Sequence, residues 1–264
     1  MGRSSVILEA KELTIAYGDQ TVIDGISFDV KEREIFVMMG PSGCGKTTVL
    51  RALAGLLRPT SGRMEFHGRA LEKEVDFEAF RRRMGMVFQH GALLNSMTLE
   101  ENVALPLREH EHLPEWMIRQ VVRMKLAQVG LLAARERRPM ELSGGMRKRA
   151  SIARALVLEP EVLFFDEPSG GLDPITADGI DNLILTLRDT LDVTLVIVTH
   201  ELPSIFKVAD RVMMIRMGRI AALGSREKIR ESEDPGVRQF ISRRADEEKG
   251  AAEEFLEELS GAEE

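Results

Sequence analysis

The chain has 264 residues, 44% of them hydrophobic and 30% charged, a balance that builds a folded core and excludes a disordered chain. Its formal net charge is −7, but nine acids and one base lie between Ala245 and Glu264, so the body is close to neutral and lacks the basic surface of a nucleic-acid-coating protein. A single cysteine, Cys44, excludes an internal disulfide and a CxxC metal site. No apolar run approaches the roughly 18 residues needed to span a bilayer, and the start runs into alternating residues instead of a signal-peptide core, so a cytosolic chain is expected.

Val6, Leu8 and Ala10, then Leu13, Ile15 and Tyr17, alternate with polar neighbours and predict strand structure that breaks at the Gly18-Asp19 turn signal. Residues 23–30 alternate again, and 34–39 form a compact apolar run suited to a buried strand. A helical period runs over 47–57, and a further short strand is expected around 62–66. From Leu99 to about Leu158 apolar residues recur at helical spacing, punctuated by Pro106, Pro114 and Pro139, which predicts a mostly helical insert. Strand signals return in the continuous apolar runs 162–165, 193–198 and 212–215, the mark of a sheet covered on both faces. Helix-like segments at 175–191 and 202–209 separate them, and the alternation predicts an α/β fold with a mainly parallel sheet. Beyond Pro235, Val237, Phe240 and Ile241 share one face of a short helix. The acidic stretch that follows carries Phe255, Leu256 and Leu259, and reads either as a solvated tail or as an amphipathic helix that docks on a partner subunit.

Three motifs carry chemistry. Gly40, Pro41, Ser42, Gly43, Cys44, Gly45, Lys46 and Thr47 spell G-x-x-x-x-G-K-[ST] between a predicted strand and a predicted helix, the context a phosphate loop requires. Gly43 and Gly45 let the backbone wrap closely around phosphate oxygens, where a Cβ would obstruct the approach. Amides at the following helix N-terminus, with Thr48 in its first turn, aim partial positive charge at the anion. Lys46 neutralises the β/γ charge, and the Thr47 hydroxyl can ligate Mg²⁺. Asp166 and Glu167 end an apolar strand, where α/β ligands bind; Asp166 would hold Mg²⁺, usually through water, and Glu167 would polarise the attacking water as general base. Leu142, Ser143, Gly144, Gly145 and Met146 precede a helical run over 147–158, with Ser143 a good N-cap and the glycines exposing amides. Alone, such a string is more often a loop. Its meaning comes from position, 97 residues past Lys46 and 23 before Asp166.

The phosphate loop, the Leu142–Met146 signature, the Asp166-Glu167 strand end, the segment from Ser169 to Asp173, and His200 together resemble the ATP-binding cassette ATPases, in order and spacing, over essentially Val6 to Gly224. The resemblance implies a P-loop NTPase core with an N-terminal antiparallel β subdomain and a helical insert at about 95–158. These lie within an ATPase domain over 1–233, followed by an acidic extension over 234–264. It implies a homodimer that sandwiches two ATP molecules, with Mg²⁺, the phosphate loop of each subunit facing the signature of the other. By the same resemblance Tyr17, the only tyrosine, stacks on adenine, and Gln89 senses Mg²⁺ and the attacking water. Asp173 links the two ATP sites, and His200 contacts the γ-phosphate. His67, His90, His110 and His112 have no such counterpart and are read as surface or loop residues. Met146 departs from the family, where glutamine is usual. Since Ser143 and the amides of Gly144 and Gly145 do the phosphate work, activity should survive. Cys44 occupies a variable position and is read as tolerated and not nucleophilic.

A finer resemblance lies in residues 105–110, 173–176 and 234–240, together with the methionine signature, and points to the ATPase subunit of Mla-type (MCE-associated) phospholipid transporters. That implies a peripheral subunit on the cytoplasmic face of the inner membrane, partnered by a membrane permease, an MCE-domain lipid-binding protein and a small STAS-domain subunit. Some relatives use a C-terminal extension to embrace the neighbouring ATPase. The alternatives are a cassette ATPase serving lipoprotein, amino acid or another solute, one acting on nucleic acid or the ribosome, and a regulatory module that holds ATP without cleaving it.

Overall fold

The computed structural model describes residues 5–242; the expectations for Phe255, Leu256 and Leu259 fall outside them. In chain order the elements are β1 (Val6–Tyr17), β2 (Gln20–Lys31), β3 (Ile35–Met39), α1 (Lys46–Leu53), β4 (Ser61–Phe66), β5 (Arg69–Ala70), α2 (Glu74–Arg81) and β6 (Met84–Val87). Three helices follow, α3 (Leu99–His110), α4 (Glu115–Gln128) and α5 (Gly144–Ala155). The remainder is β7 (Val162–Asp166), α6 (Pro174–Thr190), β8 (Thr194–Val198), α7 (Leu202–Val208), β9 (Arg211–Arg216), β10 (Arg219–Ser225), α8 (Arg226–Arg230) and α9 (Pro235–Ser242).

The chain enters its main sheet at β3, reappears at the far edge as β6, and fills inward through β7 and β8. It then crosses to the other side of β3 as β9 and β10, giving the order β10-β9-β3-β8-β7-β6. Every pairing from β9 to β6 is parallel, and only the β9–β10 hairpin is antiparallel. Successive side chains of a strand face opposite ways, and the continuous apolar runs feed two cores. Ile35, Val37 and Met39, with Leu163, Phe165, Leu195 and Ile197, face the helices α3–α7. Phe36 and Met38, with Phe164 and Val196, face α1 and the second sheet. That second sheet is antiparallel, of order β2-β1-β4-β5, and its alternating pattern buries one face only.

The helical insert is positioned by its own caps. Thr98 and Glu101 form a capping box at the start of α3, with the Thr98 amide donating to the Glu101 carboxylate at 2.7 Å and the Glu101 amide to the Thr98 hydroxyl at 3.2 Å. Asn102, fully buried, accepts from the Leu94 amide at 2.8 Å and donates to the carbonyls of Leu94, Met97 and Thr98 at 2.9–3.2 Å. A buried amide satisfied in this way fixes the loop that leaves β6 to the first helix of the insert. The sequence reading does not contain β5, α2, β10 and α8. The signature helix begins three residues earlier than expected, at Gly144, and the helix after the phosphate loop stops at Leu53 instead of Leu57.

Candidate active site

The phosphate loop connects β3 to α1 at the carboxyl edge of the main sheet, beside the end of β7. Gly43 is left-handed (φ 77°), and the point where a Cβ would stand has no atom within 4 Å, so that side of the loop is open to an anion. Gly45 (φ 100°) is different: its Cβ would meet Ile23 Cδ1 at 2.6 Å, so only glycine lets the loop close onto β2. Gly45 is also the N-cap of α1, whose first turn has no side-chain cap and no acidic residue. That leaves Lys46, Thr47 and Thr48 at a helix terminus whose amides suit a phosphate. Ser42 and Pro41 are exposed on the rim, and Cys44 is half-buried, its thiol pushed up by burial with Lys46 pulling the other way. That direction agrees with a non-nucleophilic reading of Cys44.

Lys46 is buried and folds back over the loop, where its ammonium donates to the carbonyls of Gly40 and Pro41, both at 2.8 Å. Thr47 Oγ1 donates to Asp166 Oδ1 at 3.1 Å. A hydroxyl and a buried carboxylate in contact at the end of the phosphate loop form an all-oxygen donor pair of the kind Mg²⁺ takes. The residues therefore fit the metal.

Glu167 follows Asp166 directly and is held with φ 51°, left-handed for a residue with a Cβ, a conformation that costs on the order of 1–3 kcal/mol and persists only where its surroundings impose it. Its amide donates to Val198 O at 2.9 Å, and its carbonyl accepts from the Lys148 ammonium at 2.8 Å. The side chain is clamped at one oxygen only: His200 Nδ1 lies within hydrogen-bond distance of Oε1, at 2.8 Å. Oε2 is buried and has no hydrogen-bond partner among the described residues. A buried unpaired carboxylate oxygen is costly, and its ordinary explanation is a ligand or water that it is built to meet. Gln89 is exposed just beyond β6 and, with His200, Gly144 and Gly170, lines a cleft of about 450 Å³.

The structure thus gathers Lys46, Thr47, Asp166, Glu167, His200 and Gln89 along one edge of the sheet. Of the other expected site residues, Gly144 lines the same cleft as Gln89 and His200. Tyr17 ends β1 with half its surface exposed. Ser143 is the N-cap of α5, its oxygen accepting from the Met146 amide at 3.3 Å, which leaves its hydroxyl proton free to be donated. Met146 is half-buried and packs against the core. Asp173 caps α6 by accepting from the amides of Ile175 and Thr176 at 3.1 and 3.0 Å, and the Thr176 hydroxyl first, then these amides, hold its carboxyl below the usual range. Lys148 is a residue the sequence reading missed. It is 6% exposed, burial pulls its ammonium down against the opposing pull of Glu167 and Asp166, and it bonds both the Glu167 and Gln89 carbonyls. A basic residue facing inward on a predicted helix was the only available signal.

A strand-loop-helix phosphate cradle, a hydroxyl–carboxylate pair and a half-clamped glutamate on a mainly parallel sheet with an antiparallel subdomain define a nucleoside-triphosphate hydrolase of the ATP-binding cassette class. Residues 23–170 match the family model described as ABC transporter, and the chain belongs to that family, as one of its ATP-hydrolysing subunits. It is 41% identical over 258 residues to the intermembrane phospholipid transport system ATP-binding protein MlaF of Haemophilus influenzae, covering 96% of this chain and 98% of that one. Among solved structures it resembles cbiO1 of Clostridium perfringens, described as part of the ABC transporter complex cbiONQ (TM-score 0.80, 29% identity, 92% of this chain and 96% of that one). It also resembles an ATP-binding cassette solved as a dimer in a post-hydrolysis state with ADP and Pi (TM-score 0.76, 28% identity, 83% and 98%). These findings agree with both resemblances read from the motifs. Among the described residues, no helix is long and apolar enough to cross a membrane.

Proposed function

We propose that this chain powers phospholipid transport across the Gram-negative envelope, as a homodimer on the cytoplasmic face of the inner membrane beneath a permease. The relative's name supports the cargo; the observation that carries the chemistry is Glu167 Oε2, buried with no hydrogen-bond partner among the described residues, one residue on from the Asp166 that pairs with Thr47.

Lys46 exchanges its two carbonyl partners for the β- and γ-phosphate oxygens of ATP, and the loop amides take the remaining charge. Thr47 and Asp166 would hold Mg²⁺, with Gln89 completing its surroundings; the metal supplies charge neutralisation at the phosphates. Glu167 accepts the proton of the attacking water at Oε2 while His200 fixes the carboxylate through Oε1 and contacts the γ-phosphate, a role supported by its contact with Glu167. Tyr17 supplies an exposed ring for the adenine. Ser143, Gly144 and Gly145 present a hydroxyl proton and helix-terminal amides to the nucleotide of the partner subunit, and Asp173 lies at the seam. ATP closes the dimer because each γ-phosphate gains ligands from both subunits, and hydrolysis removes the shared anion.

The segment after Gln89, His90 to Ser96, with the helical insert, passes the closure to the permease; a cavity of about 600 Å³ beside it is lined by Gln89, His90 and Leu93 and reaches Asp166 of the metal pair. Gln89 belongs to both this cavity and the catalytic cleft, so closure and docking share a residue. An MCE-domain protein and a STAS-domain subunit complete the proposed assembly, with residues 234–264 as a docking extension, of which 235–242 form α9. The test is to purify the tagged chain from detergent-solubilised membranes and identify what accompanies it. An MCE-domain protein and bound phospholipid are expected; a periplasmic solute-binding system without phospholipid overturns the cargo.

A further inference from the structure

Lys148 stands five residues after Ser143 on the same helix, roughly 7.5 Å along its axis. It is buried, and its ammonium is spent on two carbonyls of different segments: that of Gln89, where the chain leaves β6, and that of Glu167, at 2.8 Å, where it leaves β7. On the function proposed above, these two carbonyls belong to the residues, Gln89 and Glu167, whose side chains act at the reacting phosphate. The Glu167 carbonyl begins the peptide that follows a left-handed residue, so what holds that peptide plane also sets where the carboxylate points. A buried ammonium with three donors in fixed directions is a stiff connector, since moving it leaves a buried charge unpaired.

From this juxtaposition we infer that Lys148 is a positioning residue that couples the two nucleotide sites: it carries the seating of the signature helix on one ATP to the general base and the Gln89 loop acting on the other. The inference rests on the dimeric reading above. In that arrangement Ser143 and Gly144 touch the partner subunit's nucleotide, while Glu167 and Gln89 of the same chain serve its own. A rigid helix joins them. When the signature is unseated, Lys148 shifts with it, and Glu167 Oε2 and the Gln89 loop leave their working positions together. Occupancy of one site thereby licenses hydrolysis at the other.

The full chain is the material for the test, with Lys148→Met (similar length, no donors) and Lys148→Arg (charge and donors retained) beside wild type. Misplacing a catalytic group by about 1 Å costs up to about 100-fold, so Lys148→Met should lower kcat by about 10- to 100-fold with KM for ATP changed less than about twofold. ATP-dependent dimers, scored by gel filtration in a Glu167→Gln background, should persist in Lys148→Met, and Lys148→Arg should recover most of the turnover. Lys148→Met with near-normal kcat overturns the inference. So does loss of dimers together with turnover, or failure of Lys148→Arg to recover activity, since either makes Lys148 a structural element only. A wild-type chain that splits ATP as a strict monomer removes the dimeric reading itself, a result visible before any variant is compared.

Discussion

At the scale of single residues, the centre of the site is an asymmetry in Glu167. One carboxylate oxygen is held by His200 at 2.8 Å, and the other is buried with no hydrogen-bond partner among the described residues. A carboxylate with both oxygens satisfied would be a structural ion pair; one with a single oxygen satisfied is an oriented acceptor. The left-handed backbone at Glu167 belongs to the same arrangement, a strained conformation held by the Val198 carbonyl on its amide and the Lys148 ammonium on its carbonyl. Glu167→Gln keeps the shape and removes the basicity. It is expected to slow turnover by roughly 10²–10⁴-fold, the usual worth of a positioned base, while ATP-dependent dimers remain. Single-turnover phosphate release with gel filtration checks both, and normal turnover would take the base role from Glu167.

At the scale of elements, the signature helix and the helix after β7 are fitted to one another within a chain. A Cβ on Gly145 would stand 2.4 Å from Thr176 Cγ2, closer than side chains approach, and one on Gly144 would stand 3.1 Å from Leu172 Cδ2. The second signature glycine is thus required by packing of α5 on α6 as well as by any phosphate. Gly145→Ala is expected to cost about 1–3 kcal/mol, the usual range for overpacking, and to displace the signature. Adding Thr176→Ser removes the offending methyl and keeps the hydroxyl, so the double variant should regain most of the melting temperature. Equal melting temperatures for the single and double variants would mean that the contact is not the cause.

At the scale of the whole molecule, the antiparallel sheet is tied to the main sheet through Arg211. From β9 its guanidinium reaches Asp29 on β2 at 3.1 Å and Glu34, just before β3, at 2.9 Å, and it lies over the Phe36 ring. Glu34 is buried, which pushes its carboxyl up, while the Lys31 amide and Arg211 draw it back down. Arg211→Met strands that carboxylate and should cost about 3 kcal/mol, because removing one partner of a buried pair leaves an uncompensated charge. Denaturant unfolding measures it, and adding Glu34→Gln should recover part of the loss by removing the stranded charge. No recovery would mean that Arg211 acts through packing alone.

Much of this protein was legible without coordinates. Continuous apolar runs separated by helical periods dictate a doubly covered, mainly parallel sheet, because only such a sheet buries both faces of a strand. A lysine and hydroxyl after a glycine-rich loop, with a carboxylate pair ending a later strand, dictate phosphate chemistry at its carboxyl edge. Short elements were not legible: α2 carries its two buried aromatics, Phe77 and Phe80, in a single turn, too few to establish a period. Nor were contacts between distant segments. That His200 clamps one oxygen of Glu167, that Gly145 must admit Thr176, and that Lys148 bonds two catalytic loops are decided only when strands and helices from across the chain pack side by side. Local sequence dictates what each segment is; the direction of a side chain and the partner it meets are properties of the packed whole.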